Sequence, residues 1–200
     1  MIITWYGEGC FRIQNGETSV LIDIPDSSSG LSAPRGKYNV FLKTLTPYPF
    51  EFGQEDKEKE GAIVWGAGEY DIAGVTIRGF SLLSESSQKF FKTAYLLSWD
   101  DITIGLLGHI SEELPPTAFE NFEEADILIG PGGGAPFLDQ EKMVRVIKQI
   151  TPKIFIPSFY KIPGLKRKSE DAQGLLERMQ AGDAKPQEKF VFKKKDLEEI

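Results

Sequence analysis

The stretch "CFRIQNGETSVLIDI", residues 10–24, sets Asn15-Gly16 between two runs that alternate apolar and polar side chains. Asn-Gly supplies the positive φ angles of a two-residue hairpin turn, and a period of two turns every second side chain toward one face. The chain is thereby committed to antiparallel β structure with one buried face. "YNVFLKTL" reads as the next strand, and "GQEDKEKEGA" as a charged excursion with little to bury. The strands "AIVWG", "GEYDI" and "GVTIRGF" come next, the last two joined at Ala73-Gly74. After the polar loop "SESSQK", "TAYLLSW" and "ITIGLLG" reverse at Asp100-Asp101.

Helical spacing enters in the second half. Thr117 and Glu120 in "PTAFENF" fit a capping box, and "ADILIGP" is a buried strand. In "LDQEKMVRVIKQITP", Met143, Val146, Ile147 and Ile150 share one helical face, with Asp139 as N-cap and Pro152 as the stop. "KIFIPS" is a further strand, Ser169–Met179 a helix with Ala172, Leu175, Leu176 and Met179 on one side, and "KFVFKK" a last strand. Strands followed by alternating strand and helix predict a mixed α/β chain, one domain over residues 1–200, with helices on the outer faces of sheets.

A chain of 200 residues buries enough surface to fold without disulfide or metal, which matters because it has one cysteine, Cys10, and one histidine, His109. No apolar run approaches the ~20 residues of a membrane span, and "MIITWYGEGC" lacks the parts of a signal peptide, so a cytoplasmic location is expected. A net charge of −7 speaks against general binding to nucleic acid backbones. The basic clusters Lys166-Arg167-Lys168 and Lys193-Lys194-Lys195 read as solvated or edge-protecting charge, with an anionic partner, nucleic acid included, as the alternative.

Six segments in order and spacing resemble the metallo-β-lactamase superfamily, in particular its branch of zinc-dependent hydrolases similar to ascorbate-6-phosphate lactonases. They are "MIITWYGEGCFRI", "VLIDI", "GAGEYDIAGVTIRG", "IGLLGHISEELP", "ADILIGPGGGAPFLD" and "QITPKIFIPSFYK", which together span roughly residues 1–165. The resemblance implies a four-layer αββα sandwich of two mixed sheets, with zinc held at the edge where the sheets meet. It also implies a further apolar strand beyond "KKKDL". At the places where the resemblance puts metal ligands, this chain departs. The histidine-rich run after the strand "NVFLK" is Thr44, Leu45, Thr46, Pro47, Tyr48 and Pro49. Glu8 stands for the histidine of the opening motif, His109 for the bridging aspartate and Phe159 for the last histidine, and "SESSQK" replaces a histidine-rich loop.

A catalytic zinc takes about three protein ligands, mostly His and carboxylate, so one histidine cannot build a two-metal nitrogen site. A reduced site from His109, Glu8, Glu112 and Asp23 is the remaining possibility by ligand type. His109 with Glu112 is the candidate acid-base pair, although a lone histidine at a strand end is more often held structurally. Cys10 reads as a small core residue, and "GPGGGAP" as a tight connection whose backbone donors offer an anion site. The expectation is a hydrolase homologue without its zinc, binding a small molecule, a protein or a second copy of itself. Its vestigial cleft is lined by Glu8, Thr44, Thr46, Tyr48, His109 and Tyr160. Retained hydrolysis at His109 and nucleic acid association through the basic tail are the alternatives.

Overall fold

In a computed structural model of the chain, residues 1–50 and 60–200 are described, so the charged excursion lies for the most part outside the described residues. The predicted hairpin forms as β2 (Phe11–Asn15) and β3 (Thr18–Ile22), paired antiparallel through Asn15 and Thr18. β1 (Ile2–Trp5) flanks β2, and β4 (Val40–Lys43) and β6 (Ala62–Trp65) extend the sheet in parallel beyond β3. The short β13 (Lys189–Val191) returns to pair with β1, giving the order β13-β1-β2-β3-β4-β6.

The second sheet runs β12 (Ile154–Ser158), β11 (Ile127–Pro131), β10 (Ile102–Leu106), β9 (Phe90–Trp99), β8 (Val75–Ser81), β7 (Gly68–Ile72). Period-two alternation in both sheets produces the core between them. Phe11, Ile13, Val20, Ile22, Val40 and Leu42 from the first sheet meet Ile77, Tyr95, Leu97, Ile104, Ile127 and Ile129 from the second. A fully buried aliphatic side chain contributes roughly 1.5–3 kcal/mol, so this interleaved layer is the main reason the sheets stay together.

Helices cover the other face of the second sheet. α1 (Pro116–Phe122), α2 (Gln140–Ile150) and α3 (Gln173–Arg178) bury Ala118, Phe122, Met143, Val146, Ile147, Ile150 and Leu175 against Ala94, Leu96 and Leu128. Asp139 caps α2 by accepting from the Lys142 amide at 2.8 Å, and Thr151 ends it in the left-handed region just before Pro152. The outer face of the first sheet carries Cys10, Leu21, Tyr38 and Phe41. Two mixed sheets, with these helices on the outer face of the second, match the expected α/β sandwich. Among the described residues no helix is long and apolar enough to cross a membrane.

Three local expectations are corrected. Thr117 and Glu120 do not form a capping box: the N-cap is Pro115, two residues before Thr117, and Pro116 sits at the first helical position, where its missing N–H costs nothing. The helix expected from Ser169 begins at Gln173, after Asp171 accepts from the Gln173 amide. The last strand stops at Val191 instead of running through Lys194. The Asp196 carboxylate accepts the Lys193 amide and starts α4 (Lys194–Glu198), whose Leu197 closes the end of the core between the sheets.

The connection that matters most is β5 (Leu45–Pro47). β4 belongs to the first sheet, yet β5, one residue later, pairs antiparallel with residues 90–92 of β9 in the second. Thr44 is the single residue between them. It is 1% exposed, and its carbonyl accepts the Thr93 amide at 2.9 Å. "KTLTPYPF" ends its strand abruptly because the chain steps there from one sheet to the other.

Candidate functional site

A cleft of about 780 Å³ opens at this step, lined by Glu8, Asp23, Lys43, His109 and Arg167 among mostly apolar side chains. Asp23 ends β3 with φ 42°, and its carboxylate accepts from both donors of Thr44: the amide on Oδ1 at 2.8 Å and the hydroxyl on Oδ2 at 2.5 Å. The same Thr44 hydroxyl oxygen lies 2.7 Å from Nδ1 of His109. Gly108 makes this approach possible, since a Cβ there meets Thr44 Oγ1 at 2.4 Å. Asp23, Thr44 and His109 are thus one hydrogen-bonded chain across the seam of the two sheets.

Burial sets the charges. It pushes the Asp23 carboxyl up to about 7, against the opposing pull of the Thr44 hydrogen bonds and of Lys43. Burial also holds the His109 imidazole down to about 3, helped by the Lys92 and Arg167 cations. Around neutral pH His109 is therefore an uncharged ring. The Cys10 thiol is fully buried and raised by that burial and by Asp23, the behaviour of a core residue.

Beyond His109 the cleft wall is aromatic. Phe159 lies 4.7 Å from the imidazole and 4.3 Å from Phe137, centroid to centroid. Phe159 takes φ 53° and is 2% exposed. Its ring fits against Gly9, where a Cβ meets the ring at 2.3 Å, and its carbonyl packs on Gly133, where a Cβ meets that oxygen at 2.5 Å. "GPGGGAP" is thus shaped for close packing under residues 158–160, and Gln140 takes the Gly132 carbonyl at 2.9 Å.

Arg167 closes the other side. Its Nε and Nη2 each donate to Glu8 at 3.1 Å, Nη2 also reaches the Phe159 carbonyl at 2.9 Å, and the guanidinium lies over Phe137 at 4.9 Å. The reading of Lys166-Arg167-Lys168 as solvated charge fails for Arg167. Nothing local marks it, because its partner Glu8 is 159 residues away in sequence.

Of the six residues expected to line the cleft, Glu8 and His109 do, and Thr44 lies directly beneath His109. Thr46 does not. Alternation along β5 turns Leu45 and Pro47 to the cleft and buries Thr46, whose hydroxyl has no partner among the described residues. Tyr48 is 52% exposed and packs edge-on against Phe91, while Tyr160 stacks on Trp5 at 4.7 Å, outside the cleft lining. Glu112 is exposed and does not join His109. The carboxylate hydrogen-bonded through Thr44 to His109 is Asp23.

Among the described residues no three His, Cys, Asp or Glu side chains come together as a cation site. Glu8 is taken by Arg167, His109 turns Nδ1 onto Thr44, and a phenyl ring lies against the imidazole. A catalytic zinc needs about three oriented ligands, and these side chains do not fit one.

Comparison with known proteins defines the class. A family profile described as the beta-lactamase superfamily domain matches residues 2–158, and the chain belongs to that superfamily. A UPF0173 protein of Pyrococcus abyssi is 26% identical over 181 residues, covering 80% of this chain and 83% of the relative. Among solved structures, a member of the metallo-beta-lactamase superfamily from Thermotoga maritima aligns with TM-score 0.74 and 21% identity over 88% of this chain and 84% of its own. The metallo hydrolase Igni18 of Ignicoccus hospitalis aligns with TM-score 0.66 and 16% identity over 96% and 99%. At these identities the solved structures establish the fold.

Proposed function

We propose that this chain is a hydrolase homologue that works without the zinc of its superfamily, its cleft binding a small molecule rather than hydrolysing one. The reading is carried by one observation. The two polar groups that face the cleft from the expected ligand positions are both committed within the chain, Glu8 to Arg167 and His109 to Thr44, with Phe159 packed on the imidazole. An apolar cleft with a few convergent polar groups is the ordinary form of a small-molecule site.

The test is elemental analysis of protein purified from zinc-replete medium, paired with a hydrolase substrate screen and a thermal-shift screen of small molecules. The expected result is metal well below one equivalent, no hydrolysis, and stabilisation by one or more compounds. One equivalent of zinc, manganese or iron whose removal by a chelator abolishes a hydrolytic activity overturns the reading. Hydrolysis that survives the chelator and is lost in His109→Ala replaces it with metal-free acid-base chemistry.

A further inference from the structure

The chain Asp23–Thr44–His109 also fixes which way its protons point. A threonine hydroxyl has one proton to give and lone pairs to accept with, while an ionised carboxylate only accepts. Thr44 Oγ1 lies 2.5 Å from Asp23 Oδ2 and 2.7 Å from His109 Nδ1. With Asp23 ionised, the hydroxyl proton goes to Oδ2, and the second bond has to be donated by the imidazole, Nδ1–H to Oγ1. A neutral imidazole has one N–H, so Nε2 keeps its lone pair.

The surroundings agree with this direction. Lys43 favours the Asp23 carboxylate, Cys10 and Tyr95 sit in its field as neutral groups, and Lys92 and Arg167 disfavour an imidazolium at His109. The Arg167 donors that face this side go to Glu8 and to the Phe159 carbonyl. The walls beside His109 are hydrocarbon and aromatic, with Leu21, Phe41, Leu42, Leu45, Phe137 and Phe159, while Asp26, Ser27 and Ser29 line another part of the cleft.

Resting on the ligand-binding reading above, we propose that the cleft takes a small, mainly apolar molecule with an uncharged hydrogen-bond-donating head, an alcohol or a primary amide, seated on Nε2 of His109. A carboxylate head in the same place sets one lone pair against another and leaves both unsatisfied, the costly case for a buried polar group.

His109 is the only histidine, so its ring signals can be read directly by nitrogen NMR of the isotope-labelled chain. On the basic side of Asp23, at about pH 8.5, the expected pattern is a protonated Nδ1 and a bare Nε2. Thr44→Ser keeps the pattern, whereas Thr44→Val moves the proton wholly or partly to Nε2. n-Butanol and butyramide at tens of millimolar are expected to shift the Nε2 signal, and butyrate to leave it in place.

A protonated Nε2 in the unmodified protein overturns the proposal and leaves the ligand-binding reading standing. So does butyrate as the strongest mover, or binding that shifts the Leu21, Leu42 and Leu45 methyl signals without Nε2. No response of either set of signals to any of the three probes takes down both readings.

Discussion

Two carboxylates are buried near the seam of the sheets, and they are held in opposite ways. Glu85, its side chain 1% exposed, gathers Lys92 at 3.0 Å, the Ser111 amide at 2.5 Å and the Ser111 hydroxyl at 2.6 Å onto one oxygen. Lys92 also donates to the Ser111 hydroxyl at 2.6 Å, so the cluster ties β9 to the segment after His109. Asp23, 9% exposed, is held by the uncharged donors of Thr44 and passes its hydrogen bond on to His109. Three donors converging on one oxygen fix the charge there, while Oε1 is buried without a partner among the described residues. A carboxyl held by a hydroxyl remains able to titrate and to direct its neighbour's protons. Only Asp23 lines the cleft.

The largest expected effect breaks the Glu85 half of the comparison. Lys92→Met keeps the length of the side chain and removes the cation, leaving a carboxylate buried without its counter-charge. Loss of one partner from a buried pair costs about 3–5 kcal/mol, measurable by urea unfolding. Adding Glu85→Gln to Lys92→Met is expected to recover most of that loss, since the uncompensated charge is then gone. Equal destabilisation in the double variant means that packing, not charge, dominates the cluster.

The next effect separates Asp23 from His109 by pH. Asp23 is raised from 3.8 to about 7, so it binds its proton more tightly in the folded chain and withdraws stability as pH rises from about 4 to 7. His109 is lowered from 6.5 to about 3, so the folded chain resists its protonation and loses stability as pH falls from about 6.5 to 3. Between about pH 4 and 6.5 the two slopes oppose each other, and this pair contributes little net pH dependence. Asp23→Asn leaves the His109 slope, with stability rising with pH across that window. His109→Gln leaves the Asp23 slope, with stability falling toward pH 7. Each slope is on the order of 1 kcal/mol per pH unit. Slopes of the same sign in the two variants break the assignment.

How much of this was legible in the sequence follows from the range of the forces involved. The hairpin at Asn15-Gly16, the helix capped by Asp139 and the alternating strands are local, set by turn chemistry and by the period of apolar residues. The resemblance supplied the sandwich of two mixed sheets and marked 44–49, Glu8, His109 and Phe159 as site positions. It did not supply the facing of β5, because the chain changes sheets at Thr44 and alternation restarts there, which buries Thr46 and exposes Leu45. Nor did it pair Glu8 with Arg167 or His109 with Asp23 through Thr44. Those contacts depend on segments brought together only by the closed sandwich, and no spacing encodes them.

Arg167→Lys sharpens the account of the cleft wall with a smaller effect. Lysine keeps the charge but not the fork that meets Glu8 from Nε and Nη2 while also donating to the Phe159 carbonyl. A loss of about 1 kcal/mol is expected, the net value of a hydrogen bond, together with a change in any ligand affinity measured at the cleft. Arg167→Met is expected to cost more, because Glu8 is then left partly buried without a cation. Equal costs for the two variants show that the fork, and not the charge, holds the wall.

The smallest effect tests the choice between two carboxylates as the partner of His109. Glu112 is three residues along the chain and reads from the sequence as the natural acid-base neighbour, yet it is exposed, and Asp23 reaches the imidazole through Thr44. Neutralising an exposed carboxylate away from any network changes stability by less than about 0.5 kcal/mol. Glu112→Gln is therefore expected to leave unfolding, its pH slope and the His109 proton position unchanged, while Asp23→Asn alters the last two. Movement of the His109 ring signals in Glu112→Gln shows a coupling that the folded arrangement does not contain, and it returns Glu112 to the site in place of Asp23.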